Sequence, residues 1–339
     1  MQIEENVSLA PYTTFGIGGP ARYFVRVTSI EELQKSLDFA RDKKLAILLL
    51  GGGSNMLVPD AGWDGLVIKV ELRGLKFEDD ERDASKKILV AGAGELWDTV
   101  VAQAVEQNLW GLENLSGIPG TVGGAVVQNI GAYGAALSQT LLWTEVLDTA
   151  AGEITKMSNA KCAFGYRESF FKHDAERHVV LRAAFVLSST RKPNVSYKDL
   201  AMRFGDAKPG LSAIRAAILD IRAGKFPDLT VEGTAGSFFK NPIVLVQEAE
   251  ELKVRYPDMP LFDMPETSGV KVPLAWLLDR ALNLKGTTVG GARLFEKQPL
   301  VIVAKKNTPG SDVRMLAQKI KKEVQEKLHI EIEAEVKII

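Results

Sequence analysis

Apolar and polar positions divide the chain into alternating elements. Tyr23-Phe24-Val25-Arg26-Val27 centres a strand over 22–28, and Ser29 then offers an N-cap hydroxyl with Glu31 and Glu32 in the first turn. Leu33, Leu37 and Ala40 continue as one helix face, and Leu45–Leu50 is an apolar run of strand length. This β-α-β order predicts a small α/β unit. A second region starts near Leu66-Val67-Ile68, with a strand over 88–94, an amphipathic helix over 97–107, and strands over 145–148 and 179–186. Helices are predicted over 212–223, 244–256, 274–281 and 312–328, with a strand over 300–303. In the last helix Val313, Leu316, Ile320, Val324 and Leu328 share a face. The closing stretch, 330–339, alternates apolar and charged residues over most of its length. It predicts a half-buried strand that pairs with an earlier sheet.

Two glycine clusters interrupt this pattern. Gly51-Gly52-Gly53-Ser54-Asn55 follows the strand 45–50 directly. Such a strand opens into an anion-binding turn. No Gly-Lys-Ser/Thr follows, so it is not a Walker loop, and no Gly-x-Gly-x-x-Gly opens a helix. The second cluster, 117–134, holds six glycines and one proline in eighteen residues. Glycine costs backbone entropy, so such density needs a reason, and close approach of backbone to a ligand supplies one. The intervening residues are small and apolar, unlike a polar flexible linker. An ordered, buried loop round a phosphorylated cofactor is expected, held by backbone from both clusters; a glycine-rich turn cluster without a ligand is the alternative.

Composition narrows the classes. At 339 residues two or three domains are expected, and 46% hydrophobic with 25% charged residues is ordinary for a globular protein. A net charge of −1 offers no basic excess for a nucleic-acid partner. No apolar run is long enough to cross a bilayer, and Met1-Gln2-Ile3-Glu4-Glu5 is acidic where a secretory signal is basic. Cys162 is the only cysteine, so no intramolecular disulfide forms, which fits a reducing cytoplasm. Three dispersed histidines, His173, His178 and His329, suggest no metal.

Thr14-Phe15-Gly16-Ile17-Gly18-Gly19, then 51–55, then Gly117-Ile118-Pro119-Gly120-Thr121-Val122-Gly123-Gly124, resemble the UDP-N-acetylenolpyruvoylglucosamine reductases (MurB) in order and separation. Later motifs extend the match, in its longer type I form, to the C-terminus. The resemblance implies an α+β flavoenzyme of three domains, with a vanillyl-alcohol-oxidase/PCMH-like FAD-binding fold and a separate α+β substrate domain. The expected boundaries are 1–68 and 69–218 for two FAD-binding subdomains and 219–328 for the substrate domain. The strand 329–339 is expected to return to 69–218. FAD is expected to be non-covalent, held by Gly51, Gly52, Gly53, Ser54, Asn55, Gly117, Ile118, Pro119, Gly120, Thr121, Gly123 and Gly124. NADPH is the implied reductant, and a UDP-sugar enolpyruvate the implied substrate. A cytoplasmic monomer without nucleic-acid or membrane partners follows.

Residue by residue, the resemblance assigns three catalytic positions. Arg167, in Tyr166-Arg167-Glu168-Ser169, falls on the arginine that holds the substrate carboxylate and its enolate-like intermediate. Arginine forks onto carboxylates, although a structural salt bridge is the plain alternative. Ser237, in Gly236-Ser237-Phe238-Phe239, falls on the proton donor to the substrate α-carbon. A lone serine is otherwise a cap or turn residue. Glu331, Glu333 and Glu335 share a face by period two and are equivalent from the residues alone, with a solvated face as the alternative. The resemblance selects Glu335, acting with Arg167 through a proton it holds or shares, for which a raised pKa is needed. Tyr166, Tyr197, Arg222, Lys225, Asn241 and Lys285 fall on substrate contacts, with exposed loop residues as the alternative. Phe295 and Ala304 depart from the family, where histidine and asparagine are common, and no role is carried to them.

Two other functions stay open at this stage. An O₂-using FAD oxidase of the same fold is one, although a histidine tether near the loops is excluded because His173 follows both. A non-catalytic nucleotide-binding protein is the other.

Overall fold

The computed structural model describes residues 1–173, 177–264 and 269–339. Two compact units result: Met1–Val7, Pro20–Gly53 and Trp63–Gly224 form one, and Ser8–Gly19, Ser54–Gly62 and Lys225–Ile339 the other.

The first unit contains two sheets. In one, the strands Ile3–Ser8, Pro20–Val27, Trp63–Val70 and Ile47–Leu50 lie side by side in that order. Trp63–Val70 runs parallel to both Pro20–Val27 and Ile47–Leu50, pairing Val25 with Ile68 and Leu50 with Lys69. The continuous run Leu66-Val67-Ile68 is thus an inner strand of the first sheet, fully buried, and does not open a second region. The helix Ile30–Asp42 covers this sheet with Leu33, Leu37 and Ala40. Its cap works in both directions: Ser29 Oγ accepts from the Glu32 N–H at 3.1 Å, and the Glu32 carboxylate accepts from the Thr28 N–H at 2.8 Å.

The other sheet has five antiparallel strands, ordered Ile154–Ser158, Leu141–Asp148, His178–Ser188, Lys86–Gly92 and Leu75–Asp79. The helix Trp97–Glu106 starts just beyond Lys86–Gly92 and sets Trp97 edge-on to Phe185, ring centres 5.7 Å apart. The second glycine cluster forms a loop and then the short helix Val122–Gln128. The helix Leu211–Lys225 closes this part of the chain.

In the second unit the helix Gly310–Leu328 buries Val313, Leu316, Ile320, Val324 and Leu328, as its pattern predicts. Asp60 caps it, accepting from the N–H groups of Gly310 at 2.6 Å and Ser311 at 3.1 Å. The three-stranded sheet Thr288–Val289, Ala292–Leu294, Ile302–Ala304 is antiparallel. The helix expected over 274–281 is a single α turn, Leu274–Trp276, that widens to a π turn over Leu277–Ala281.

The closing stretch differs from its expectation. Only Lys337–Ile338 is a strand, and it pairs in parallel with Met56–Leu57 of the second unit instead of returning to 69–218. Ile330, Ile332 and Val336 are buried while Glu331 and Glu333 are exposed, so the two-residue rhythm is real. Alternation reports a half-buried face; it does not supply ladder partners. Here the backbone meets Phe238–Lys240 first, bends at 335–336, and then meets 56–57.

Candidate active site

The two glycine clusters meet within the first unit. A Cβ on Gly52 would lie 2.5 Å from the Gly120 Cα, and one on Gly51 would lie 2.7 Å from Thr121 Oγ1. Gly52 therefore packs backbone on backbone and Gly51 packs against the Thr121 hydroxyl, so a larger residue fits at neither. Gly53, Gly117 and Gly120 adopt φ of +62°, +70° and +119°. The loop is fixed to the adjoining chain by Trp97 N–H to Gly120 O at 3.0 Å and Val122 N–H to Glu95 O at 2.9 Å. Gly123 donates to Ala93 O at 2.9 Å, and its Cβ would sit 3.1 Å from the Ala93 Cβ. Its glycine thus serves close packing onto Ala93. Gly124 differs, because a Cβ there meets only Thr121 Oγ1 at 3.8 Å.

This arrangement fits a dinucleotide cofactor. Thr121 Oγ1 is buried and has no hydrogen-bond partner within the protein, an arrangement that costs stability until something fills it. It lies beside Gly51 and Gly124, neither of which sets a side chain against it. Lys69 sets its ammonium on the Gly51 carbonyl, and burial lowers its pKa. Lys69 was not singled out from the sequence, since nothing in the run Ile68-Lys69-Val70 tells which loop its side chain meets.

Arg167 also lies in the first unit. Gly165 and Glu168 exchange backbone hydrogen bonds of 3.0 and 3.1 Å, which forces a tight turn and puts Arg167 at φ +56°. A left-handed arginine is uncommon and often marks a functional position. Its guanidinium donates to Gly131 O at 2.7 Å, at the end of the glycine cluster, and lies 5.7 Å from the Tyr166 ring centre. Tyr197 packs edge-on to Tyr133, ring centres 5.4 Å apart. Arg222 donates to Gly117 O at 2.9 Å and pairs with the Tyr133 hydroxyl. Burial lowers the Arg222 pKa and pushes Tyr133 up to about 12.

Ser237 and Glu335 come together in the second unit. Gly236 takes φ +78° with nothing within 4 Å of a Cβ there, which leaves open space beside Ser237. Ser237 bridges Val301, and the Phe238 N–H donates to Leu300 O at 2.7 Å. On its other side Phe238 O accepts the Glu335 N–H at 2.8 Å. Glu335 is half-buried, whereas Glu333 is exposed and paired with Lys240 at 3.1 Å. Asn241 accepts from the Leu274 N–H at 3.0 Å, Lys285 pairs with Asp279 at 3.2 Å, and Lys225 is half-buried. Phe295 is buried with Val301 and Val303, with the Arg293 guanidinium 5.4 Å from its ring centre, and Ala304 is buried in the same strand pair.

Residues 228–339 match the family model of the UDP-N-acetylenolpyruvoylglucosamine reductase C-terminal domain, and residues 21–158 match an FAD binding domain. The UDP-N-acetylenolpyruvoylglucosamine reductase of Neisseria gonorrhoeae is 40% identical over 338 residues, 98% of this chain and 96% of the relative. The chain belongs to the UDP-N-acetylenolpyruvoylglucosamine reductase family. The Pseudomonas putida reductase is 38% identical, covering 99% of this chain and 98% of its own. A crystal structure of the MurB reductase from Thermus caldophilus superposes with a TM-score of 0.70 at 26% identity, over 100% of this chain and 99% of that one. The fold is accordingly an α+β flavoenzyme fold, with an FAD-binding domain and the MurB C-terminal domain. As a MurB reductase the chain is an FAD-dependent oxidoreductase, a UDP-N-acetylmuramate dehydrogenase of peptidoglycan precursor synthesis. Among the described residues no helix is long and apolar enough to cross a membrane.

Proposed function

We propose that this reductase takes its electrons from NADPH, holds FAD without a covalent bond, and works as a cytoplasmic monomer on UDP-N-acetylglucosamine enolpyruvate. Bound FAD supplies the two-electron transfer that the protein itself cannot perform. The glycines of 51–53 and 117–124, with Ile118, Pro119, Ser54, Asn55 and the Thr121 hydroxyl, would hold it. The two sheets of the first unit are read as the two FAD-binding subdomains, and 219–328 as the substrate domain.

Arg167 would grip the substrate carboxylate in two-point fashion, next to Tyr166, and stabilise the charge that builds up there. Ser237 Oγ would deliver a proton to the substrate α-carbon. Glu335 would share the stabilisation of the enolate-like intermediate. Tyr197, Arg222, Lys225, Asn241 and Lys285 would contact the nucleotide-sugar side. The observation that carries this reading is the pairing at Phe238, whose carbonyl holds the backbone of Glu335 one residue beyond Ser237, beside the space left by Gly236. Dispersed structural residues of a non-catalytic binding protein have no need of that arrangement.

The purified protein should be yellow, bleach anaerobically on adding NADPH, and regain colour on adding the enolpyruvyl substrate. Acid precipitation should release the flavin. Colour that returns only with O₂ would favour an oxidase.

A further inference from the structure

Gly117 is held at both of its polar groups. Its N–H donates to Asp98 Oδ1 at 2.6 Å, and its carbonyl accepts from Arg222 Nε at 2.9 Å. Asp98 is itself held by a two-point contact from Arg215, at 2.6 and 2.8 Å. Arg215 and Arg222 stand seven residues apart on the helix Leu211–Lys225, hence two turns apart on one face. Leu219 lies between them, and a Cβ on Gly117 would come within 2.8 Å of its Cδ2. That face therefore sits directly on Gly117, which has φ +70°.

The energetics favour a purpose beyond tying two helices together. Burial alone would raise the Asp98 pKa, but Arg215 and the Gly117 N–H outweigh it and hold the carboxyl below its ordinary value. Asp98 is thus an ionised acceptor under a peptide N–H, a charge-assisted bond. Glycine is the residue with most backbone freedom to lose, and Gly117 opens the loop that runs to the unpartnered Thr121 hydroxyl. Fixing its peptide planes beforehand removes an ordering cost from ligand binding.

We propose that Asp98 and Arg215 are positioning residues for the cofactor, locking the Gly117 peptide so that the 117–124 loop is preset for FAD. This rests on the assignment of that loop to the cofactor. Asp98 acts through Gly117, and Arg215 acts through Asp98.

The test measures FAD affinity by flavin fluorescence on apoprotein, together with the melting temperature of the apoprotein. Asp98→Ala should weaken FAD binding by about 10- to 100-fold, the worth of a charge-assisted hydrogen bond. Arg215→Met leaves Asp98 on the Gly117 N–H, so it should lower the melting temperature while losing less affinity than Asp98→Ala. The double exchange Asp98→Arg with Arg215→Asp restores the ion pair but puts a cation under the N–H. It should recover melting temperature without recovering affinity. An exchange that recovers both, or equal affinity losses in the two single variants, would overturn the proposal. Gly124→Val is the control for the loop assignment: if it binds FAD normally, the assignment fails, whatever Asp98 does.

Discussion

The side-chain amide of Asn55 donates to the main-chain carbonyl of Glu335 at 3.2 Å. The Lys337 N–H returns to the Asn55 carbonyl at 3.0 Å, and the Glu335 N–H is taken by Phe238 O at 2.8 Å. Both polar groups of the Glu335 backbone are therefore fixed, one of them by the residue that ends the first glycine cluster. Asn55→Ala should remove one anchor, costing about 1 kcal/mol of stability. Misplacing a reacting group is costly, so flavin reoxidation by the enolpyruvyl substrate should slow on the order of 10-fold or more. Flavin reduction by NADPH, measured on FAD-saturated protein, should slow less than reoxidation. Reoxidation at the wild-type rate would show that the anchor does not matter.

The neighbouring glycines 123 and 124 should fail in different ways. Gly123→Val drives a side chain into Ala93, an overpacking of about 1–3 kcal/mol, so the apoprotein itself should melt earlier. Gly124→Val meets only Thr121 at 3.8 Å, so its apoprotein should melt like wild type and yet bind FAD poorly. Calorimetry of both apoproteins and flavin titrations check this, and the reverse ranking would misplace the cradle.

The physical basis of that contrast also marks what the sequence could reveal. Local periodicity placed the helices 97–106 and 310–328 to within two residues and gave the buried face of 30–42, because each buries one stripe against a sheet. The glycine clusters announced a loop that must approach something. Whether each glycine approaches Ala93, Gly120 or open space is a long-range fact with no local signal. The same holds for Asp98 and Arg215, which are 117 positions apart, and for Lys69 on Gly51. The closing stretch was legible as half-buried but not as paired, since its partners at 56–57 and 238–240 leave no mark on its own pattern.

Among the three closing glutamates, only Glu335→Gln should abolish turnover while keeping flavin binding and NADPH reduction. Glu331 and Glu333 are exposed, and Glu333 already pairs with Lys240, so their glutamine variants should behave almost like wild type. Steady-state assays of the three variants decide it. A dead Glu333→Gln beside an active Glu335→Gln would move the proposed role by two residues.

Burial pushes the Cys162 thiol up to about 11. Its folded pKa lies above the unfolded value, so the fold favours the neutral thiol. That contribution is fully present below about pH 9 and is lost as pH rises towards 11, by about 2–3 kcal/mol for two pKa units. Urea unfolding at pH 8 and pH 10.5 should show a larger loss in wild type than in Cys162→Ala. A thiol reagent should not label the native protein at pH 8. Rapid labelling would mean that Cys162 is not buried as described.

The assignment of Ser237 as proton donor is tested most directly by anaerobic stopped-flow absorbance on Ser237→Ala. Flavin reduction by NADPH should proceed within about threefold of wild type, since a donor to the substrate has no part in that half-reaction. Reoxidation by the enolpyruvyl substrate should fall by at least the ~10²–10⁴-fold that general acid catalysis supplies. Equal slowing of both half-reactions, or reoxidation at the wild-type rate, would contradict the assignment.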